Sequence, residues 1–474
     1  NSFWKRYAES VSKYLVIFCK SLQNGEIPRD WGTARIKQVH KTGNKNSVKN
    51  YRPISLTCTV CKILEHIIYN HVCEFLDNYN ALTKLQHGFR KGYSTNTQLV
   101  ETIHDFAKSI NSRTQTDVIF MDFSKVFDKV SHTKLIYKIG RIINISLVVN
   151  WISAYLTKRE QFVVFADSCS HRQLVDSGVP QGSVLGPLLF LLFINDIVDG
   201  IPVKIKLYAD DCVLYNEICC PADQHVLNDA LQKVSSWCDE WQMAINFEKT
   251  VFMQITNKRN PLEYEYSTTH TKLSQVPHYK YLGIWITDYL NWTKHINTVT
   301  NTAMRKLFFL RRALKLSTPS VRLLAYKTIV IPTLDYASII WDSFTKTNIN
   351  KLERVQKKAI RFIYNSFGHT SITELSARAN LPTLTERNRV SRLKFLYQLI
   401  KGHYKIGISE ILSFSSGYAT RQRHERTITP YATRNNCFKY SFFPRTINDW
   451  NKLANTEVLQ PSLTLFSSSL DNSV

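Results

Sequence analysis

The stretch that most constrains this chain is Leu207-Tyr208-Ala209-Asp210-Asp211-Cys212-Val213-Leu214-Tyr215. Apolar, strand-forming residues lie on both sides of two adjacent acids, with 205–208 running in and 212–215 running out. The pattern predicts a tight β-hairpin with Asp210 and Asp211 at its tip. Aspartate is an ordinary turn residue, so the hairpin alone has a purely conformational explanation. Upstream, Val118-Ile119-Phe120-Met121-Asp122-Phe123 is a second apolar strand that also ends in an acid. An isolated carboxylate at the end of a buried strand is costly unless it is paired or metal-bound. Side by side in one sheet, the two strands bring Asp122 next to Asp210 and Asp211. Clustered carboxylates with no Lys or Arg between them suit hard divalent cations such as Mg²⁺. Two such ions about 3.5–4 Å apart can activate a 3′-hydroxyl and stabilise a leaving pyrophosphate.

The charge balance points to a polyanionic partner. Sixty-one Lys and Arg stand against 37 Asp and Glu, a net charge of +24, and nucleic acid is the first candidate for so basic a chain. No stretch reaches the roughly 18 apolar residues of a membrane span. The closest, 184–194, is short and contains Pro187. With 474 residues and 44% hydrophobic content, the chain can bury a core for two or three packed subdomains. It opens on Asn1, as a piece of a longer reading frame would, and no signal peptide is read. Ten scattered cysteines favour free thiols in a reducing interior, so the expected location is intracellular and not secreted. Cys58-x-x-Cys61 followed by His66, His71 and Cys73 invites a zinc reading, but 60–76 has helical apolar spacing and the thiols are read as core.

Along the chain, residues 1–80 read as helical and basic. Positions 34–39 alternate like a strand, and 41–50 form a polar loop with Gly43 and Lys45. Arg52 precedes Pro53, which predicts extended backbone, and the side chain is either a surface arginine or a guanidinium aimed at a triphosphate. Gln86-His87-Gly88-Phe89-Arg90-Lys91-Gly92-Tyr93 reads as a phosphate- and base-facing loop in which Arg90 is a nucleic-acid ligand. A helix over 96–109 leads into the strand ending at Asp122, and 124–132 starts another helix carrying Phe127, either core or a wall against an incoming sugar. Gly178-Val179-Pro180-Gln181-Gly182 opens an apolar helix over 188–197, with Gly182 permitting close approach and Gln181 offering amide donors. Leu227, Ala230, Leu231, Val234, Trp237 and Trp241 form one helical face packed on the sheet. Lys249, just before the strand 251–255, is either a surface lysine or a general acid. Apolar stripes at 296–314 and 352–362 are flanked by Lys306, Arg311, Arg312, Lys357, Lys358 and Arg361, as in helices that track a nucleic-acid backbone. Residues 365–474 read as helices and basic loops, with 421–434 especially polar. No internal repeat is present.

Seven of these stretches, in this order and spacing (50–56, 86–94, 120–132, 178–187, 208–211, 245–249 and 281–283), resemble the reverse transcriptases of non-LTR, LINE-like retrotransposons of the jockey type. The resemblance implies an α+β right-hand polymerase: N-terminal helices and fingers over 1–110, and a ferredoxin-like palm over 111–290 with a fingers insertion at about 135–180. A helical thumb over 291–365 and a basic helical C-terminal region over 366–474 complete it. It implies two-metal transfer of dNTPs to a primer 3′-hydroxyl on an RNA template, using two Mg²⁺ (or Mn²⁺) held by Asp122, Asp210 and Asp211. Arg52 and Lys41 would meet the triphosphate, Phe127 the sugar, and Gln181 and Gly182 the template and nucleotide. Lys249 would protonate pyrophosphate, and Tyr281, Leu282 and Gly283 would form the primer grip. Partners would be the RNA template, a DNA primer or target, and dNTPs. No stretch resembles an endonuclease, a zinc knuckle or a ribonuclease H. The rival readings are a catalytically silent RNA- or DNA-binding remnant and an RNA-copying RNA polymerase, against which Phe127 argues.

Overall fold

In the computed structural model, residues 5–12, 16–41, 43–157, 159–165, 167–269, 271–368, 370–415 and 424–472 are described. Part of the polar segment, 421–423, lies outside them.

The central sheet is built on the strand Gln115–Met121, every residue of which is buried. It pairs antiparallel with Asp211–Ile218 on one side and Val251–Ile255 on the other. Lys204–Tyr208 and Ser274–Gln275 complete the five strands. A strand buried on both faces must divide its side chains between two cores, because successive side chains point to opposite faces. Val118 and Phe120 join Val213, Tyr215 and Met253 on one face. Ile119 and Met121 join Cys212, Leu214 and Phe252 on the other. The second face packs on Leu185–Ile194, apolar all round and buried all round, and on Pro221–Trp241, whose Leu227, Ala230, Leu231 and Val234 are fully buried. Trp237 and Trp241 lie half-buried at its rim.

The first face is covered by Thr95–Asn111, a helix begun by a capping box between Ser94 and Thr97. Helices Thr293–Ala313 and Lys346–Tyr364 follow, with buried stripes as their spacing predicts. The described residues beyond 365 enter this same core: Leu393, Leu396, Phe443, Ile447, Trp450 and Phe466 are fully buried in it. A second sheet, with the strands Tyr51–Leu56, Thr33–His40 and Glu160–Phe165 in that order, stands apart from the first. Its parallel Thr33–His40 and Glu160–Phe165 pairing brings the 135–180 segment to the N-terminal region. No described helix is long and apolar enough to cross a membrane, and all ten cysteines are free.

Two local expectations are corrected. The helix expected to start at 124 is only Val126–Lys129, with Lys125 left-handed (φ 49°) before it, and a separate helix, His132–Ile142, follows. The acid hairpin also turns one residue earlier: Tyr208 pairs with Asp211, so the tip is Ala209–Asp210 and Asp211 starts the outgoing strand.

Candidate active site

Register brings the acids together. Met121 is opposite Cys212, so the next residue, Asp122, reaches the level of Asp211. All three acids line one cleft of about 1210 Å³. The opposite wall is the second sheet, contributing Lys41 and Arg52, and Phe127, Gln181 and Lys249 also line it. Residues far apart in sequence therefore converge because two sheets face each other across a single gap.

The electrostatics of the acids are uneven. Asp210 has its carboxyl pushed up by burial and by Asp122, with Arg52 and Lys41 opposing from across the cleft. Asp211 is pushed up to about 7 by burial, then by Asp210 and Asp122. Asp122 accepts from Asn246 Nδ2 at 3.0 Å. The Lys249 ammonium stands 3.5 Å from the same oxygen, but its side chain is 68% exposed, so solvent screens the pair. Asn246 was not singled out from the sequence, although it lies in the Ile245–Lys249 stretch; nothing in that stretch distinguished a polar loop residue from an acid's partner.

Backbone contacts set the cleft's depth. Ser55 N donates to Gln181 O at 2.8 Å, and Val179 N to Phe127 O at 2.7 Å, so the 178–182 loop ties the second sheet to the short helix Val126–Lys129 that follows Asp122. Gly182 has φ +129°, and a Cβ there would stand 2.4 Å from the Ser55 carbonyl. Its close approach is thus to the neighbouring strand. The Phe127 ring packs on Phe190, centroids 4.7 Å apart, and meets Phe89 edge-on at 6.3 Å.

Tyr281, Leu282 and Gly283 form the turn of a second hairpin, His278–Tyr281 with Ile284–Thr287. Leu282 (φ 44°) and Gly283 (φ 86°) are both left-handed, as a two-residue type I′ turn requires. Tyr336 donates to Leu282 O at 2.9 Å, and Tyr279 stacks on Phe120 at 4.3 Å. The Tyr279 phenol is pushed up to about 12 by burial, then by Asp211 and Asp122, which puts this hairpin beside the acids.

The basic residues divide into two groups. Arg311, Arg312, Lys357 and Lys358 are exposed. Three others are engaged within the chain. Arg90 donates to the Thr83 and Gln86 carbonyls and lies over Tyr93, which orders the loop instead of presenting a phosphate ligand. Lys306 donates to Thr333 Oγ1 at 2.7 Å, and Arg361 to the carbonyls of Ser366 and Gly368 at 3.0 and 3.1 Å. Sequence spacing finds a cation on a helix face but not the carbonyl it reaches.

Among the described residues, no three His, Cys, Asp or Glu side chains form a ready-made metal cluster, at Cys58–Cys73 or at the acids. The donor set in the cleft nonetheless suits a hard divalent ion: carboxylate oxygens, mutually repelling, with no Arg against them.

The family model for reverse transcriptase (RNA-dependent DNA polymerase) matches residues 39–286. The probable RNA-directed DNA polymerase from transposon BS of Drosophila melanogaster is 30% identical over 76% of this chain and 41% of its own length. The RNA-directed DNA polymerase from mobile element jockey of the same fly is 28% identical over 81% of this chain and 43% of its own. The chain thus spans about two fifths of the length of these relatives. Among solved structures, apo telomerase from Candida tropicalis aligns at 13% identity over 85% of this chain and 67% of that one, with a TM-score of 0.45. These transposon and mobile-element polymerases are what the chain is similar to, and the model match, which covers more than half of the chain and spans both walls of the cleft, carries the conclusion that this chain belongs to the reverse transcriptase (RNA-dependent DNA polymerase) family.

Proposed function

We propose that the chain is an RNA-directed DNA polymerase that extends a primer 3′-hydroxyl with dNTPs on an RNA template. The observation that carries the reading is the cleft itself, with three under-neutralised acids on one wall and Arg52 and Lys41 on the other. A nucleoside triphosphate needs both: cations for its phosphates and acids for the metal that accompanies them.

Asp122, Asp210 and Asp211 would hold two Mg²⁺, or Mn²⁺. When bound, the ions supply charge stabilisation to the attacking and leaving oxygens. The chain's own residues do the rest. Arg52 and Lys41 hold and orient the triphosphate. Phe127 stands as a wall where a 2′-hydroxyl would clash, so deoxyribose is preferred. Gln181 faces the nucleotide, and Gly182 keeps its loop tight against Ser55. Lys249 is exposed enough to swing from Asp122 and give a proton to departing pyrophosphate. The 278–287 hairpin holds the primer end, and Lys357, Lys358, Arg311 and Arg312 meet the nucleic-acid backbone. The assigned units are fingers over 1–110, palm over 111–290 with the insertion at about 135–180, thumb over 291–365, and a C-terminal region over 366–474.

The test is Mg²⁺-dependent incorporation of labelled dNTPs by the whole chain on a primed RNA, beside rNTPs and an unprimed control. Template-dependent dNTP addition is expected. Tight binding of the primed RNA with no incorporation would leave the silent-remnant reading, and equal use of rNTPs would favour an RNA polymerase.

A further inference from the structure

We infer that Gln86 is a positioning residue for the acid hairpin: its carboxamide holds the left-handed backbone at Ala209 that aims Asp210 into the cleft. The inference rests on the polymerase reading above for its kinetic consequence, though not for its structural one.

Ala209 has φ +54°, a conformation that costs a non-glycine residue on the order of 1–2 kcal/mol and persists only where the surroundings fix it. Besides the pairing of Tyr208 with Asp211 that closes the turn, one side chain grips the residue. Gln86 Oε1 accepts from Ala209 N–H at 2.8 Å and from Gly88 N–H at 2.7 Å. Gln86 Nε2 donates to Ala209 O at 3.4 Å. One amide thus engages both polar groups of the strained residue, and Gln86 is only 2% exposed, so water cannot replace it. A carboxylate of the same length has no donor for the Ala209 carbonyl and would set a fourth charge beside the acids. Leucine offers neither contact.

The segment around Gln86 is built for this grip. Leu207 N donates to Leu85 O and His87 N to Leu207 O, both at 2.9 Å, so 85–87 extends the sheet along the edge of Lys204–Tyr208. Gly88 lies so close that a Cβ would stand 2.3 Å from Ala209 N, which only glycine allows. Below, His87 Nδ1 lies 2.9 Å from Thr97 Oγ1, and Lys206, on the hairpin's incoming strand, donates to Glu101 at 2.6 Å. Loop and hairpin are therefore tied to one helix, Thr95–Asn111, and Gln86 is the link that reaches the tip.

The experiment compares the whole 474-residue chain with its Gln86→Leu and Gln86→Glu variants, using Val234→Ala, a core change behind the sheet, as the stability control. Hydrogen exchange of a peptide spanning 204–215 is read beside primer extension with Mg²⁺. The tip amides should lose protection in Gln86→Leu, and less so in Gln86→Glu, which keeps the acceptor. For Gln86→Leu, kcat should fall by about 100-fold, the loss expected when a reacting group is displaced by about an ångström. KM for dNTP should change little, and half-saturating Mg²⁺ should rise. Val234→Ala should lower Tm and leave kcat near wild type. Should Gln86→Leu fail to fold, Gln86→Glu carries the same comparison. Unchanged tip exchange, or a kcat loss no larger than that of Val234→Ala, would overturn the inference. A wild type that extends no primer overturns the polymerase reading instead, and the exchange result still decides whether Gln86 holds the tip.

Discussion

Two clusters of acids in this molecule live under opposite electrostatic regimes. In the C-terminal half, Asp342 is buried with Arg392 Nε at 3.0 Å, Arg445 at 3.1 Å and Asn388 Nδ2 at 3.0 Å. Arg392 also reaches Asp449 at 3.0 Å. Every charge there is answered from inside the chain, and the cluster joins the 338–341 helix to the helices Leu384–Ile400 and Phe442–Trp450. In the cleft, no cation among the described residues forms an ion pair with Asp210 or Asp211, and Asp122 is met by an exposed lysine. Burying charge is unfavourable unless it is paired. A cluster that is fully answered is therefore architecture, while one left unanswered keeps its charge for something that arrives from outside.

The contrast can be broken from either end. The largest effect is expected for Asp210→Asn, which should reduce primer extension by about 10⁴-fold or more, since metal-assisted charge stabilisation is worth several kcal/mol. The same change should raise Tm slightly by relieving like-charge repulsion; a Tm loss would mean that the cleft acids are structural. Asp342→Ala should do the opposite. Leaving Arg392 and Arg445 without their acid should destabilise the fold by about 3–5 kcal/mol, read by urea unfolding, with residual activity in whatever remains folded. Next, Phe127→Ala should relax discrimination against ribonucleotides by about 10–100-fold, as removal of one apolar wall does. Measured kcat/KM for rNTP and dNTP checks this, and unchanged sugar preference would make Phe127 core only.

The smallest effect is one of pH. His104 is boxed by Tyr431, Phe438 and Phe443, and burial holds its imidazole down at about 4, with Asp105 opposing and Lys108 and Lys204 adding to the shift. Because its folded value lies below the ordinary 6.5, the unfolded chain takes up the proton first as pH falls. The stability contribution is therefore intact above about pH 6.5 and lost as pH falls towards 4, at most about 2 kcal/mol between pH 7 and 5. His104→Phe should flatten that part of the pH profile of Tm; an unaltered profile would show that other groups govern it.

Much of the active site was legible because its signals are local. A short apolar run ending in an acid is visible in six residues, and two such buried runs find their backbone partners by pairing. The Arg52–Pro53 step announced extended backbone, as the strand Tyr51–Leu56 has. What was missed depends on atoms distant in the chain. Asn246 and Gln86 look like ordinary loop amides until Asp122 and Ala209 arrive beside them. Arg90, Lys306 and Arg361 read as free cations until carbonyls from their own neighbourhood fold back onto them. The 366–474 region read as a basic extension because most of its helices are short, and the long one, Leu384–Ile400, buries Asn388 and Arg392 beside its apolar residues instead of showing a clean apolar stripe.

The sequence by itself determined which residues are candidates for the chemistry and which segments form strands and long helices, because residue type and spacing act over a few neighbours. Only the tertiary structure decided which charges remain unanswered and how the acid hairpin is aimed. Both are settled by long-range packing: two sheets facing across a cleft, arginines delivered from the C-terminal helices to Asp342, and a loop amide placed against a left-handed turn 123 positions away.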